Sequence, residues 1–135
     1  MNILAVLDDD AIFHQIIDYA HANANYTHIF HYYNAEQLLS YLEEHKDNVE
    51  KIPDVLFVDL NLPIVDGWAF LNAYEVIADS LIKEITVYVV STSVRKEDPV
   101  RATKYSFVKE YLVKPVSITK LKSIALDAVN TEQQS

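Results

Sequence analysis

The chain has 135 residues, half of them apolar, no cysteine, and a formal net charge of −9. That length fits one hydrophobic core and not two, and the missing thiols exclude a disulfide framework or a thiolate metal site. The acidic balance argues against nucleic acid as a partner, because little here would displace counterions from phosphate. No uninterrupted apolar stretch is long enough to span a bilayer, and the start lacks a basic leader, so the expected compartment is the cytoplasm, without a membrane partner.

Asn2 to Leu7 is an apolar run of strand length that ends in Asp8, Asp9 and Asp10. From there Phe13, Ile16, Ile17, Ala20 and Ala24 recur at helical spacing, with carboxylates placed to favour a helix start. Thr27 to Tyr33 reads as a second strand, and Asn34 as the N-cap of a helix turning Leu38, Leu39 and Leu42 inward. After a polar connection, Asp54 to Val58 is a third strand, apolar from Val55 on and therefore expected to be buried on both faces. It ends on Asp59. Pro63, Asp66 and Gly67, the only glycine in the chain, then supply turn chemistry leading into a helix traced by Trp68, Leu71, Tyr74 and Ala78. Ile85 to Val90 is the fourth strand, closed by Ser91, Thr92 and Ser93. Asp98 followed by Pro99 predicts an N-cap and first helical residue, with that helix running to about Ser106. Glu110 to Val113 is a short fifth strand stopped by Lys114 and Pro115. Ser117 caps a last helix carrying Ile118, Leu121, Ile124, Ala125 and Ala128.

Five strands thus alternate with five helices, which predicts an α/β fold with a parallel sheet covered on both faces. The common five-stranded solution has order 2-1-3-4-5, with a ligand crevice between strands 1 and 3 at their carboxyl ends. That edge would gather Asp8 and Asp9 from strand 1, Asp59 from strand 3, Ser91 from strand 4 and Lys114 from strand 5. Carboxylates crowded at one point repel, and a hard cation held by oxygen ligands alone, Mg²⁺, relieves them. Carboxylate-bound Mg²⁺, an ammonium and a hydroxyl together cradle a phosphoryl group, and a carboxylate can itself be the nucleophile that accepts it.

At these positions the sequence resembles the receiver domain of two-component response regulators. The matching features are the Asp8-Asp9 pair, Asp59-x-Asn61-x-Pro63-x-x-Asp66-Gly67, Ser91, and Tyr111-x-x-Lys114-Pro115. The resemblance implies the flavodoxin-like (βα)5 receiver fold over residues 1–130, followed by a polar tail over 131–135. It implies that Asp59 accepts a phosphoryl group from a phosphohistidine of a sensor kinase or phosphotransfer protein. Asp9 and Asp59 would bind Mg²⁺ directly with the Asn61 main-chain carbonyl, and Asp8 mainly through water. Lys114 would pair with Asp59 and then with phosphoryl oxygens. Ser91 would hydrogen-bond the phosphate while Tyr111 swings inward. The Lys114–Pro115 bond is expected to be cis. With a chain that ends soon after its last helix, the expectation is a stand-alone receiver acting on a separate effector protein or as an intermediate in a phosphorelay.

The alternative is an aspartate-nucleophile phosphatase of the haloacid dehalogenase type, whose strand-Asp-x-Asp opening fits Asp8, Asp9 and Asp10. That reading leaves the Asp59 stretch without a role. The histidines at 14, 21, 28, 31 and 45 fall on separate elements, His28 and His31 on opposite faces of one strand, so they read as packing or surface residues. Phe13 and Ile16 lie beside the acidic edge, either as core or as a docking surface for a helical phosphotransfer domain. Trp68 is expected near the site.

Overall fold

The computed structural model describes residues 2–22 and 26–124. Ala24, Ala125, Ala128 and the expected tail at 131–135 lie outside the described residues. Strands β1 (Asn2–Leu7), β2 (Tyr26–Tyr32), β3 (Val55–Asp59), β4 (Thr86–Ser91) and β5 (Val108–Val113) form one parallel sheet of order β2-β1-β3-β4-β5. Helices α1 (Ala11–Ala20), α2 (Ala35–Glu44), α3 (Gly67–Ile77) and α4 (Glu97–Ala102) connect them. A fifth helix, α5, covers residues 118–124. This is the architecture that the alternation of elements predicts.

The sheet is a sandwich filling, and its period-two pattern sorts the core into two layers. Ala5, Leu7, Leu56, Val58, Val87 and Val89 pack with Leu38 and Leu42 of α2 and with Phe70, Leu71 and Tyr74 of α3. Leu4, Val6, Val55, Phe57, Tyr88 and Val90 point the other way, onto Phe13 and Ile17 of α1 and Leu121 and Ile124 of α5. A one-residue slip would exchange the two sets, so the register is strongly specified. That register aligns Leu7 with Val58, Asp59 with Val90, and Ser91 with Val113, which brings the polar strand ends to one edge.

Four helix starts carry side-chain caps, two of them, Asn34 and Ser117, as the sequence predicts. Asp10 accepts from the Ile12 amide at 2.9 Å, Asn34 from Gln37 at 2.9 Å, Asp66 from Ala69 at 2.8 Å and Ser117 from Lys120 at 3.0 Å. Each such cap contributes about 1 kcal/mol.

Helix α4 departs from expectation at both ends. Asp98 does not cap it: Lys96 occupies the N-cap position with no side-chain bond, and Asp98 is the second helical residue. The Asp98 carboxylate instead accepts from the Ser93 hydroxyl at 2.6 Å, a donor from the preceding loop. Pro99 is tolerated one step further in, because the first-turn amides have no partner within the helix. The helix stops at Ala102 and not near Ser106; Thr103 Oγ1 bonds back to the Pro99 carbonyl at 2.8 Å, and the amides of Lys104 and Tyr105 take partners three residues back. Strand β5 accordingly begins at Val108, two residues before the expected start, and β4 is displaced by one to include Ser91.

Gly67 is required by a close approach and not by its dihedrals, since no glycine here has positive φ. A Cβ at this position would lie 2.5 Å from the Asp59 carbonyl oxygen and 2.5 Å from the Leu60 Cα. Both are backbone atoms, so no side chain can swing away to make room. The Gly67 amide also donates to the Leu60 carbonyl at 3.0 Å, seating the start of α3 on the end of β3. Gly67→Ala is therefore expected to destabilise the fold by about 1–3 kcal/mol, the ordinary range for overpacking, through displacement of the Asp59 backbone. A lower urea midpoint at unchanged slope would register that loss, whereas an unchanged midpoint would show that the close approach is easily relieved.

Candidate functional site

Three carboxylates converge where the register directs them. One oxygen each from Asp8, Asp9 and Asp59 lies within 4.8 Å of the others, with Asp8 and Asp59 buried and Asp9 exposed. Asp8 continues the line of β1, and its Oδ1 accepts from the Asp10 amide at 2.8 Å. Asp59 ends β3, and its Oδ1 accepts from the Asn61 amide at 3.1 Å. Lys114, directly after β5, reaches back across the edge. Its ammonium donates to Asp8 Oδ2 at 2.6 Å and lies 3.8 Å from Asp59 Oδ2. The nearer carboxylate is thus Asp8, where the resemblance implied Asp59. The Lys114–Pro115 peptide bond is cis.

The ammonium also sits 4.7 Å above the Phe13 ring, which is buried beneath the pocket. Phe13 is accordingly core and a partner of the lysine; Ile16 is half-buried against the same layer. Neither residue type announces this contact in sequence, because it depends on Lys114 reaching back across the sheet edge to α1.

On the far side of the pocket Ser91 is fully buried, and its Oγ accepts from the Ser93 amide at 3.0 Å. Its own O–H remains available as a donor. Tyr111 is half-buried and its hydroxyl donates to the Ser93 carbonyl at 3.1 Å, so Ser91, Ser93 and Tyr111 share one loop. Asn61 is exposed and donates through Nδ2 to Thr92 Oγ1 at 3.3 Å, bridging the ends of β3 and β4. Trp68, in the first turn of α3, is half-buried beneath the Arg101 guanidinium of α4, 4.0 Å above the ring.

Burial and the adjacent Asp8 charge oppose ionisation of Asp59, while the Asn61 amide and Lys114 favour it; the balance pushes its pKa up from an ordinary 3.8 to about 6. Burial is the largest of these effects. Three carboxylates facing one ammonium leave the pocket rich in hard oxygen donors and short of positive charge. That donor set fits a divalent cation such as Mg²⁺, which Asp8, Asp9 and Asp59 could hold and which would supply the missing charge.

One group of residues escaped the sequence reading. His14 of α1 and His31 of β2 meet with their Nδ1 atoms 2.6 Å apart, directly behind Asp8. His14 is buried and its Nε2 lies 2.8 Å from the Asp8 carbonyl, while His31 Nε2 lies 2.8 Å from Asp18 Oδ1. Burial lowers the His14 pKa against the opposing pull of the Asp8 carbonyl. Among the described residues the only group of three or more potential metal-binding side chains is Asp8, Asp9 and Asp59.

Residues 4–126 match the family model described as response regulator receiver domain. The "Probable methanogenesis regulatory protein FilR2" of Methanothrix harundinacea is 33% identical over 84 residues, which cover 62% of this chain and 52% of that protein. The chain therefore spans about half the length of this relative. Among solved structures, a two-component response regulator from Cytophaga hutchinsonii superposes with a TM-score of 0.79 at 20% identity, covering 96% of this chain and 98% of that one. The Mn²⁺-bound form of response regulator Rcp1 superposes at 0.73 with 20% identity, covering 94% and 91%.

The Asp59 environment makes a prediction about the metal-free protein. A folded-state pKa raised above the unfolded value favours the fold only while the group is protonated, so stability falls as pH rises from about 4 to about 6. Asp59→Asn removes this titration. In EDTA it is expected to be more stable than the parent above about pH 7, by up to about 3 kcal/mol, with the gap closing near pH 4. Urea midpoints across that range measure it; a gap independent of pH would contradict the assigned environment.

Proposed function

Because the chain belongs to the response regulator receiver family, we propose that it is a Mg²⁺-dependent phosphoacceptor whose nucleophile is Asp59, a signalling module and not a conventional enzyme. The observation that carries this reading is the convergence of Asp8, Asp9 and Asp59 within 4.8 Å, with the Lys114 ammonium 2.6 Å from one of them and 3.8 Å from another. The donor would be a phosphohistidine of a sensor kinase or of a histidine phosphotransfer protein. A carboxylate oxygen of Asp59 attacks phosphorus, the P–N bond breaks, and the imidazole leaves with the bonding pair. With its pKa near 6, Asp59 is mostly ionised at neutral pH and is more basic than an ordinary aspartate, both useful in a nucleophile.

The remaining residues have roles that follow from their reach. Lys114 sits between Asp8 and Asp59 and can move its ammonium onto incoming phosphoryl oxygens without leaving the pocket. Mg²⁺, when bound, neutralises charge that builds on the phosphoryl oxygens. Ser91 can donate its hydroxyl to the phosphate once the group is on Asp59. Drawing Ser91 inward pulls on Ser93, whose carbonyl holds the Tyr111 hydroxyl and whose own hydroxyl holds Asp98 of α4. This gives the phosphate a mechanical route to the α4–β5 surface, where a separate effector protein would read the change. Nothing in the charge balance favours nucleic acid, and no helix among the described residues is long and apolar enough to cross a membrane.

A phosphatase built on Asp8 is the weaker reading. The Asp8 side chain is held by Lys114 and by the Asp10 amide, whereas Asp59 Oδ2 is the less tightly held oxygen.

The test is incorporation of label from acetyl phosphate with Mg²⁺ present. The parent protein is expected to be labelled, EDTA to suppress labelling, and Asp59→Asn to abolish it. Label persisting on another residue of that variant would reject the assignment. Turnover of a generic phosphate ester that survives Asp59→Asn but not Asp8→Asn would favour the phosphatase.

A further inference from the structure

We propose that His14 is a positioning residue for the acidic pocket: it holds the Asp8–Asp9 peptide plane, and through it the Asp9 carboxylate on which Mg²⁺ binding depends. The inference deepens the phosphoacceptor reading and rests on it.

The Asp8 carbonyl lies inside the protein just beyond the last paired residue of β1, and the Asp8 amide is already committed to the Tyr32 carbonyl at 3.1 Å. The first amides of α1 do not serve that carbonyl: Ile12 donates to the Asp10 side chain, and Phe13 and His14 donate to the Asp10 carbonyl. A buried carbonyl needs a donor, and the His14 imidazole supplies it at 2.8 Å. Since a carbonyl only accepts, Nε2 carries the proton. The peptide plane it grips is the one joining Asp8 to Asp9. Asp8 is fixed independently at both carboxylate oxygens by the Asp10 amide and Lys114. Asp9 is exposed, so the direction of its side chain is inherited from that plane.

The imidazole is itself braced. Its other nitrogen faces His31 Nδ1 at 2.6 Å, and the Tyr33 ring lies 4.2 Å away at 31°. His31 is anchored in turn by Asp18, whose carboxylate accepts from Nε2 at 2.8 Å. The chain Asp18–His31–His14 thus ties the edge strand β2 and the outer face of α1 to the backbone of the pocket. Histidine suits the place because both ring nitrogens are used, one on each side, in a rigid plane.

The experiment compares Mg²⁺ affinity by calorimetry with backbone amide exchange of Asp10 in the metal-free protein. His14→Leu keeps the bulk and loses the donor. It is expected to weaken Mg²⁺ binding about tenfold, the lower end of what losing a supporting group costs a metal site. Exchange of the Asp10 amide, whose bond to Asp8 Oδ1 spans that peptide plane, should quicken in the same variant. His14→Gln retains an N–H donor and is expected to recover most of both effects, which a merely space-filling role would not produce. If the parent protein binds no Mg²⁺, the phosphoacceptor reading falls together with this one. If the parent binds and His14→Leu binds as tightly, with Asp10 exchange unchanged, this proposal alone falls. Should His14→Leu fail to fold, His31→Leu decides on the same two readouts, a smaller weakening supporting the proposal and none overturning it.

Discussion

The molecule depends on an electrostatic crowding that its own topology enforces. A parallel sheet must bring the carboxyl ends of its strands to one edge, and of the neighbours β1 and β3 here, β3 ends on an aspartate and β1 runs directly into one. Asp8 is 0% and Asp59 5% exposed, so their repulsion acts with little screening by water. One ammonium arrives from β5, and it cannot balance three carboxylates. The surrounding core tolerates this because it is otherwise unconflicted: two apolar layers divide cleanly by strand parity, and four helix starts are capped. A fold that satisfies local rules everywhere except at one edge has located its site there.

Much of this was legible in the chain itself. Val55 to Val58 is an unbroken apolar run because the strand is buried on both faces, and a run of that kind cannot be an edge. Asp59, Ser91 and Lys114 each follow an apolar strand directly, so a parallel sheet was enough to place them together. Gly67 read only as turn chemistry, yet its deeper reason is that α3 begins in contact with the backbone of Asp59. What could not be read was partner choice between segments distant in sequence. Asp98 carries a strong local signal for a helix cap, but the Ser93 hydroxyl outcompetes it, and local propensity has no knowledge of that loop.

The histidines show the same limit more sharply. His14 and His31 lie on different elements, and separateness in sequence argued against their acting together. Their meeting depends on the β1–β2 register, which pairs Val6 with His31, and on α1 lying over that pair of strands. Neither condition leaves a trace in residue spacing. His14 lies on the buried side of α1 with Phe13 and Ile17, where its polar atoms need partners, but the apolar stripe in the chain does not include it.

The stacking of Arg101 on Trp68 has an optical consequence. The only indole in the chain sits in the first turn of α3 and is roofed by a cation from α4. Its emission is therefore sensitive to where α4 lies. Light from this ring would report displacement of α4, with no second indole in the chain to confuse the reading.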